Sequence, residues 1–272
     1  MGRLFTFGCS FTTWEDGWDT WADIISRDNF SEYKNYGRIG AGNQYIFTSL
    51  IEAIKRDNIT QADTVMVMWT SVTRHDYWFK GSWQCRGNIL TSRPNLEWMK
   101  RFYDIDGFYF RDLPLITAGQ LILDSIGCKQ HVMSMVDIGN HDQFKLTTDN
   151  SQEFRLIDLF DAHSDTTQRI LPSVHNVIFN YDYNSRPLSG LTKREGIRVC
   201  HPFPSEHLEY IETVLPEYEI SDQTRAEVLN QDNQILKSLE GDWAGTRHYM
   251  YDVPTEVQQF DSWREDNAHR LR

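Results

Sequence analysis

The segment Leu4-Phe-Thr-Phe-Gly-Cys-Ser-Phe-Thr12 sets a small hydroxyl residue, Ser10, at the end of an apolar, strand-like run. A serine hydroxyl is a poor nucleophile alone. It needs a base within hydrogen-bond reach and N–H donors where the oxyanion forms. Groups able to fill those roles recur in order along the chain, after successive strand-like segments. Gly40-Ala-Gly-Asn43 is a glycine-rich loop with backbone amides to offer. Thr70, Ser71 and Arg74 follow the run Thr64–Trp69, and His201-Pro202 lead into a helical pattern. Together these residues suit acyl transfer. Ser10 would attack, His201 would take its proton, and the amides of Ser10 and Gly40 would hold the oxyanion, aided by Asn43, Ser71 or Arg74.

Each residue also has an ordinary reading. Ser10 suits a tight turn, and Gly40 suits loop punctuation before a helix. Arg74 suits a salt-bridged loop. His207, six residues beyond His201, competes as the base. Cys9 is an alternative nucleophile, but a lone cysteine beside a strand is more often a small buried hydrophobe. Asp137, His141 and Asp142 in the run Asp-Ile-Gly-Asn-His-Asp are metal-ligand types, yet one histidine and two carboxylates in a loop are weak grounds. The expectation is no metal and no cofactor.

The elements that must position these groups alternate. Leu4–Phe7, Glu32–Tyr36, Thr64–Trp69, Gln130–Val136 and Val174–Phe179 read as strands. Trp18–Arg27, the segment after Asn43 (its expected N-cap), Leu113–Ile126, His207–Leu215 and Arg225–Leu239 read as helices. Pro114 then falls in a first turn. A short helix is expected near Glu153–Phe160. Alternation implies a parallel sheet with helices on both faces, and ligands at the carboxyl ends of its strands. Residues 70–112 carry no long period and are rich in aromatics and arginine. They read as a functional insertion: a lid, an oligomer contact, or a surface on which sugar rings stack. The expected organisation is one domain over residues 1–240 and a tail over 241–272 packing on it.

The bulk composition narrows the function classes. The chain has 272 residues, 40% of them hydrophobic and 24% charged, with a formal net charge of −12. That charge repels phosphate backbones and argues against nucleic acid as a partner. No apolar run reaches the ~20 residues needed to span a bilayer. The N-terminus does not read as a signal peptide, so the expected location is cytoplasmic. Four scattered cysteines read as structural thiols rather than a disulfide framework.

Taken in order, the motifs resemble the SGNH/GDSL hydrolases, serine esterases and lipases on a flavodoxin-like α/β/α sandwich. Phe7-Gly-Cys-Ser-Phe-Thr12 is similar to the first block, Gly-Asp-Ser, with Cys9 at the Asp position. Asn35-Tyr-Gly-Arg-Ile-Gly40 fits the Asn-x4-Gly spacing of the second. His201-Pro202 fits the latter half of Asp-x-x-His-Pro. Gly8–Thr12, Thr20–Asp23, Gly40–Phe47, the strand end Met68–Arg74 and His201–Ile211 together further resemble a branch often met in phage genomes. Two departures stand out. The third block's Asn is missing from Met68-Trp-Thr-Ser-Val-Thr-Arg-His-Asp76, and the Asp of the last block falls on Arg198.

The resemblance implies a five-stranded parallel sheet in a three-layer sandwich, with the long insertion after the third strand. It implies ester hydrolysis through an acyl-enzyme on Ser10, with His201 as base, acting on an acylated small molecule or a carbohydrate O-acetyl group. The departures keep two alternatives in view. One is a degenerate member that binds a glycan or a protein, for example in a virion. The other is an acyltransferase, which shares the acyl-enzyme.

Overall fold

The computed structural model describes residues 2–14, 17–88, 105–138, 161–179, 197–199, 201–241 and 250–252. Strand β1 (Arg3–Phe7) is followed by α1 (Trp21–Asn29), β2 (Glu32–Asn35), α2 (Asn43–Arg56) and β3 (Thr64–Trp69). A hairpin follows, β4 (Arg74–Phe79) and β5 (Ser82–Asn88), then α3 (Ile105–Ile126) and β6 (Lys129–Ser134). Beyond it lie α4 (Ser164–Gln168), a π-helical turn (His175–Phe179), β7 (Ile197–Val199), α5 (Pro204–Val214), α6 (Asp222–Gly241) and β8 (Met250–Asp252).

The main sheet is parallel with strand order β2-β1-β3-β6. The chain leaves β1 toward β2, then crosses back over β1 to β3. Right-handed crossovers in opposite directions put α1 on one face and α2 on the other. The helix contacts agree: α2 packs on α3, whereas α1 packs on α5 and α6. Loops leaving β1 and β3 therefore diverge to opposite faces, which opens a crevice at their carboxyl ends. Ser10 follows β1 at that crevice.

Both faces of the sheet are covered, so its central strands are largely apolar. Every residue of β3 is buried, including Trp69, and Leu4, Phe5 and Phe7 of β1 are fully buried. At roughly 25 cal/mol per Å² of apolar surface, these strands and the helix faces on them dominate the stability. Among the described residues, no helix is long and apolar enough to cross a membrane.

Several expectations are corrected. The main sheet has four described strands rather than five, because Val174–Phe179 is not a strand. Residues 175–179 wind into a π-helical turn, with the His175 N–H bonded to the Met135 carbonyl at 3.1 Å. A short apolar run does not distinguish strand from helix by its periodicity. Asn43 is the first helical residue of α2, and the N-cap is Gly42. Its cap function passes to the Asp76 carboxylate on β4, which accepts the Gly42 and Tyr45 N–H groups at 2.9 Å. Helix α3 begins at Ile105, so Pro114 lies inside it rather than in its first turn. The described part of the insertion is not irregular, since β4 and β5 pair antiparallel. The expected helix near Glu153–Phe160 lies outside the described residues. So does the tail over 241–272, apart from Gly241 at the end of α6 and Met250–Asp252, which pair with β7.

Candidate active site

The turn carrying Ser10 is fixed from several sides. The Thr12 and Thr13 N–H groups both reach back to the Cys9 carbonyl, at 2.9 and 3.2 Å. The Thr12 carbonyl accepts from the Thr20 hydroxyl at 2.9 Å and from Asn35 Nδ2 at 2.7 Å. Thr20 caps α1, and Asn35 ends β2, so two neighbouring elements clamp the turn. Gly8 is required here because a Cβ would collide with the Thr12 side chain.

His201 arrives from the opposite end of the chain. The segment His201-Pro-Phe-Pro204 is extended into α5, with Pro204 in the first helical turn. The Phe203 N–H bonds to Glu206 Oε2 at 2.7 Å, and the Ser205 N–H bonds to Asp232 Oδ1 of α6 at 3.2 Å. Burial raises the pKa of Asp232 above the ordinary carboxylate value. These bonds hold the start of α5, and with it the imidazole.

His201 Nε2 lies 2.8 Å from Ser10 Oγ, across 191 positions of sequence. Both are buried, Ser10 at 4% and His201 at 9% exposure. Trp14 lies against the imidazole with ring centroids 4.4 Å apart, and Phe11 meets it edge-on at 5.3 Å. Trp14 also packs on Phe203 and Ile235. A small cavity lined by Ser10, Trp14, Trp18, His201 and His207 lies beside the pair. His207 shares that lining, edge-on to Phe11, but the hydrogen bond to Ser10 comes from His201.

The other predicted donors are placed differently. Asn43 Oδ1 accepts the Thr70 N–H at 2.8 Å, while its Nδ2 donates to the Thr70 carbonyl at 3.0 Å and to Asp112 at 2.8 Å. Every hydrogen-bonding group of that amide is occupied, so it offers nothing to an oxyanion. Asp112 is wholly buried between Asn43 and Arg111, and burial raises its pKa. Ser71 pairs with the Thr73 hydroxyl at 2.7 Å. Arg74 donates to the Ala41 carbonyl at 3.1 Å and to Met135 Sδ at 3.4 Å. Gly40 has φ +74°, and a Cβ there would sit 2.7 Å from the Cys85 carbonyl. Its glycine character follows from the close approach of β5. Cys9 is fully buried with its thiol against Met135 Sδ, directed into the core. Of the loop weighed for metal, Asp137 is described, whereas His141 and Asp142 lie outside the described residues. Among the described residues no cluster of His, Cys, Asp and Glu suited to a metal is present.

Sequence reasoning missed Trp14 as the ring covering the pair. Its only signal was a large aromatic four residues past Ser10 in a loop. It also missed a cleft of about 560 Å³ that shares Trp14 with the Ser10 cavity and is lined by Thr13, Gly37, Arg38 and β5 residues including Trp83 and Arg86.

No protein-family model matches the chain, and no curated protein matches it. Several solved structures are similar to it. A GDSL-like lipase from Bacteroides thetaiotaomicron is 12% identical, covering 79% of this chain and 86% of its own, with a TM-score of 0.38. A protein described as an acylhydrolase from Bacteroides fragilis is 12% identical, covering 84% and 88%, with a TM-score of 0.42. A member of the lipolytic G-D-S-L family from Veillonella parvula is 13% identical, covering 78% and 96%, with a TM-score of 0.40.

Proposed function

We propose that this protein is a serine-dependent ester hydrolase of the SGNH/GDSL type, working through an acyl-enzyme. The observation that carries the reading is the 2.8 Å contact between Ser10 Oγ and His201 Nε2. It lies at the carboxyl end of β1, beside the crevice where α/β sheets bind ligands. Ser10 Oγ attacks the ester carbonyl as its proton passes to His201 Nε2. The tetrahedral oxyanion is held by the Ser10 N–H, with the Gly40 N–H as a second donor. His201 returns the proton to the departing alcohol, leaving acyl-Ser10. Water, deprotonated by His201, then releases the acid. The acyl group is a short one on a carbohydrate, consistent with the small cavity at Ser10 and the larger polar, aromatic cleft that shares Trp14 with it.

A second reading is a binding protein on the same scaffold. It is favoured by Arg198 at the position of the orienting acid, by the occupied Asn43 amide and by the Trp14 ring over the pair. Fluorophosphonate labelling separates the two. Labelling of the purified protein that vanishes in Ser10→Ala and weakens in His201→Ala supports the hydrolase. An unlabelled Ser10, with Trp14→Ala equally unlabelled, assigns the site to binding.

A further inference from the structure

Among the described residues, the large exposed aromatic side chains gather on the β4–β5 hairpin. Strand periodicity puts Ser82, Gln84 and Arg86 on one face of β5. They are linked in a row, Arg86 Nη2 to Gln84 Oε1 at 3.3 Å and Gln84 Nε2 to Ser82 Oγ at 2.8 Å. Directly opposite on β4, Tyr77 pairs with Gln84 and Phe79 with Ser82, and these rings are 39% and 53% exposed. Trp78 at the same tip is 59% exposed and meets Trp83, a cleft residue, edge-on. Flat exposed rings beside an amide and hydroxyl row suit a sugar ring, which offers C–H faces to the former and hydroxyls to the latter.

The charges sharpen this. In a chain of net charge −12, Arg3, Arg27, Arg56, Arg111, Arg169 and Arg225 each face a carboxylate. Arg38 and Arg86, which line the cleft, do not. Arg38 gives one N–H to the Trp83 carbonyl and stands over the Tyr45 ring, and among the described residues Arg86 binds Gln84. Lys80, at the hairpin turn, stands over Phe79. Three exposed cations without a carboxylate partner among the described residues thus border the aromatic rings and the cleft. Guanidinium groups left with free donors recognise carboxylate, sulfate or phosphate.

We infer that the hairpin and cleft bind an acidic oligosaccharide, its charged sugar units on Arg38 and Arg86 and its ring faces on the hairpin aromatics. Trp14, shared by the cleft and the Ser10 cavity, places the reacting ester next to that chain. The substrate class rests on the hydrolase reading, but the binding surface can be tested without it. The Ser10→Ala protein is titrated with a short oligogalacturonate, its full methyl ester and a sulfated oligosaccharide of equal length, reading tryptophan fluorescence. The charged chains are expected to bind about tenfold more tightly than the methyl ester. Arg38→Gln and Arg86→Gln each reduce that preference, whereas Arg38→Lys retains part of it. Phe79→Ser weakens charged and neutral chains alike. Stronger binding of the sulfated chain assigns the anion as sulfate, and stronger binding of the oligogalacturonate assigns it as carboxylate. Equal binding of charged and neutral chains, no binding of either, or indifference to both arginine changes overturns the inference. Concentration-dependent dimerisation that Phe79→Ser abolishes also overturns it, by giving the rings to a second copy. Failure of the hydrolase reading is seen separately, as absent fluorophosphonate labelling alongside intact binding.

Discussion

Two sides of the same crevice differ sharply. On the β1 side, Ser10 and His201 meet each other beside a cavity. On the β2 and β3 side, Asn43, Ser71 and Arg74 are tied to backbone groups, buried carboxylates and sulfur. Residue types that look equivalent in sequence therefore serve opposite ends. A polar side chain whose bonds are all made inside the fold is a fastener, whatever its type. A serine and a histidine that meet beside a cavity can exchange a proton with a third molecule. The difference explains why the third-block Asn of the resemblance has no substitute in Asn43: its amide already joins α2 to β3 and α3.

The largest test of this contrast is His201→Ala. If the pair is catalytic, ester turnover falls on the order of 10⁴-fold or more with the melting temperature nearly unchanged. A small loss would put the pair among the fasteners. Asn43→Ala should behave the other way. It leaves Asp112 and the Thr70 backbone short of buried partners, costing about 2 to 3 kcal/mol in urea unfolding. The folded protein should still label at Ser10. A large fall in labelling with stability intact would instead make Asn43 a donor.

Gly40→Ala comes next. The positive φ and the Cys85 carbonyl should make it cost about 1 to 2 kcal/mol. Loss of labelling beyond that would show that the Gly40 amide also serves the oxyanion. The smallest effect concerns pH. Burial raises the pKa of Asp112 in the folded protein above 3.8, so the fold binds its proton more tightly than the unfolded chain does. Its stabilising contribution is full below 3.8 and is lost as pH rises through the folded value. The stability of wild type relative to Asp112→Asn should therefore decline as pH climbs from below 3.8. A wild-type advantage that grows with pH would show that Arg111 and Asn43 more than offset the burial of the charge.

The strands β1, β3 and β6 were legible from their apolar residues, and β2 as a short extended stretch ended by Gly37. Ser10 and His201 were legible as candidates, one in the turn after β1 and the other in a His-Pro step before a helix, and their 2.8 Å contact was not. The run at 174–179 misled, since Val-His-Asn-Val-Ile-Phe has no period long enough to separate strand from helix. The β4–β5 hairpin was hidden because its faces mix rings, cations and amides rather than alternating apolar with polar.

The sequence by itself determined the alternating order of elements, the apolar core strands and the residue types available for acyl transfer. These depend on local pattern, which a chain carries wherever it folds. The tertiary structure alone decided which of those residues meet. That His201 rather than His207 reaches Ser10, that Asn43 is bound to Thr70 and Asp112, and that Arg38 and Arg86 border one cleft all depend on contacts between distant segments. Such contacts follow from how the sheet and its covering helices pack, and no local spacing encodes them.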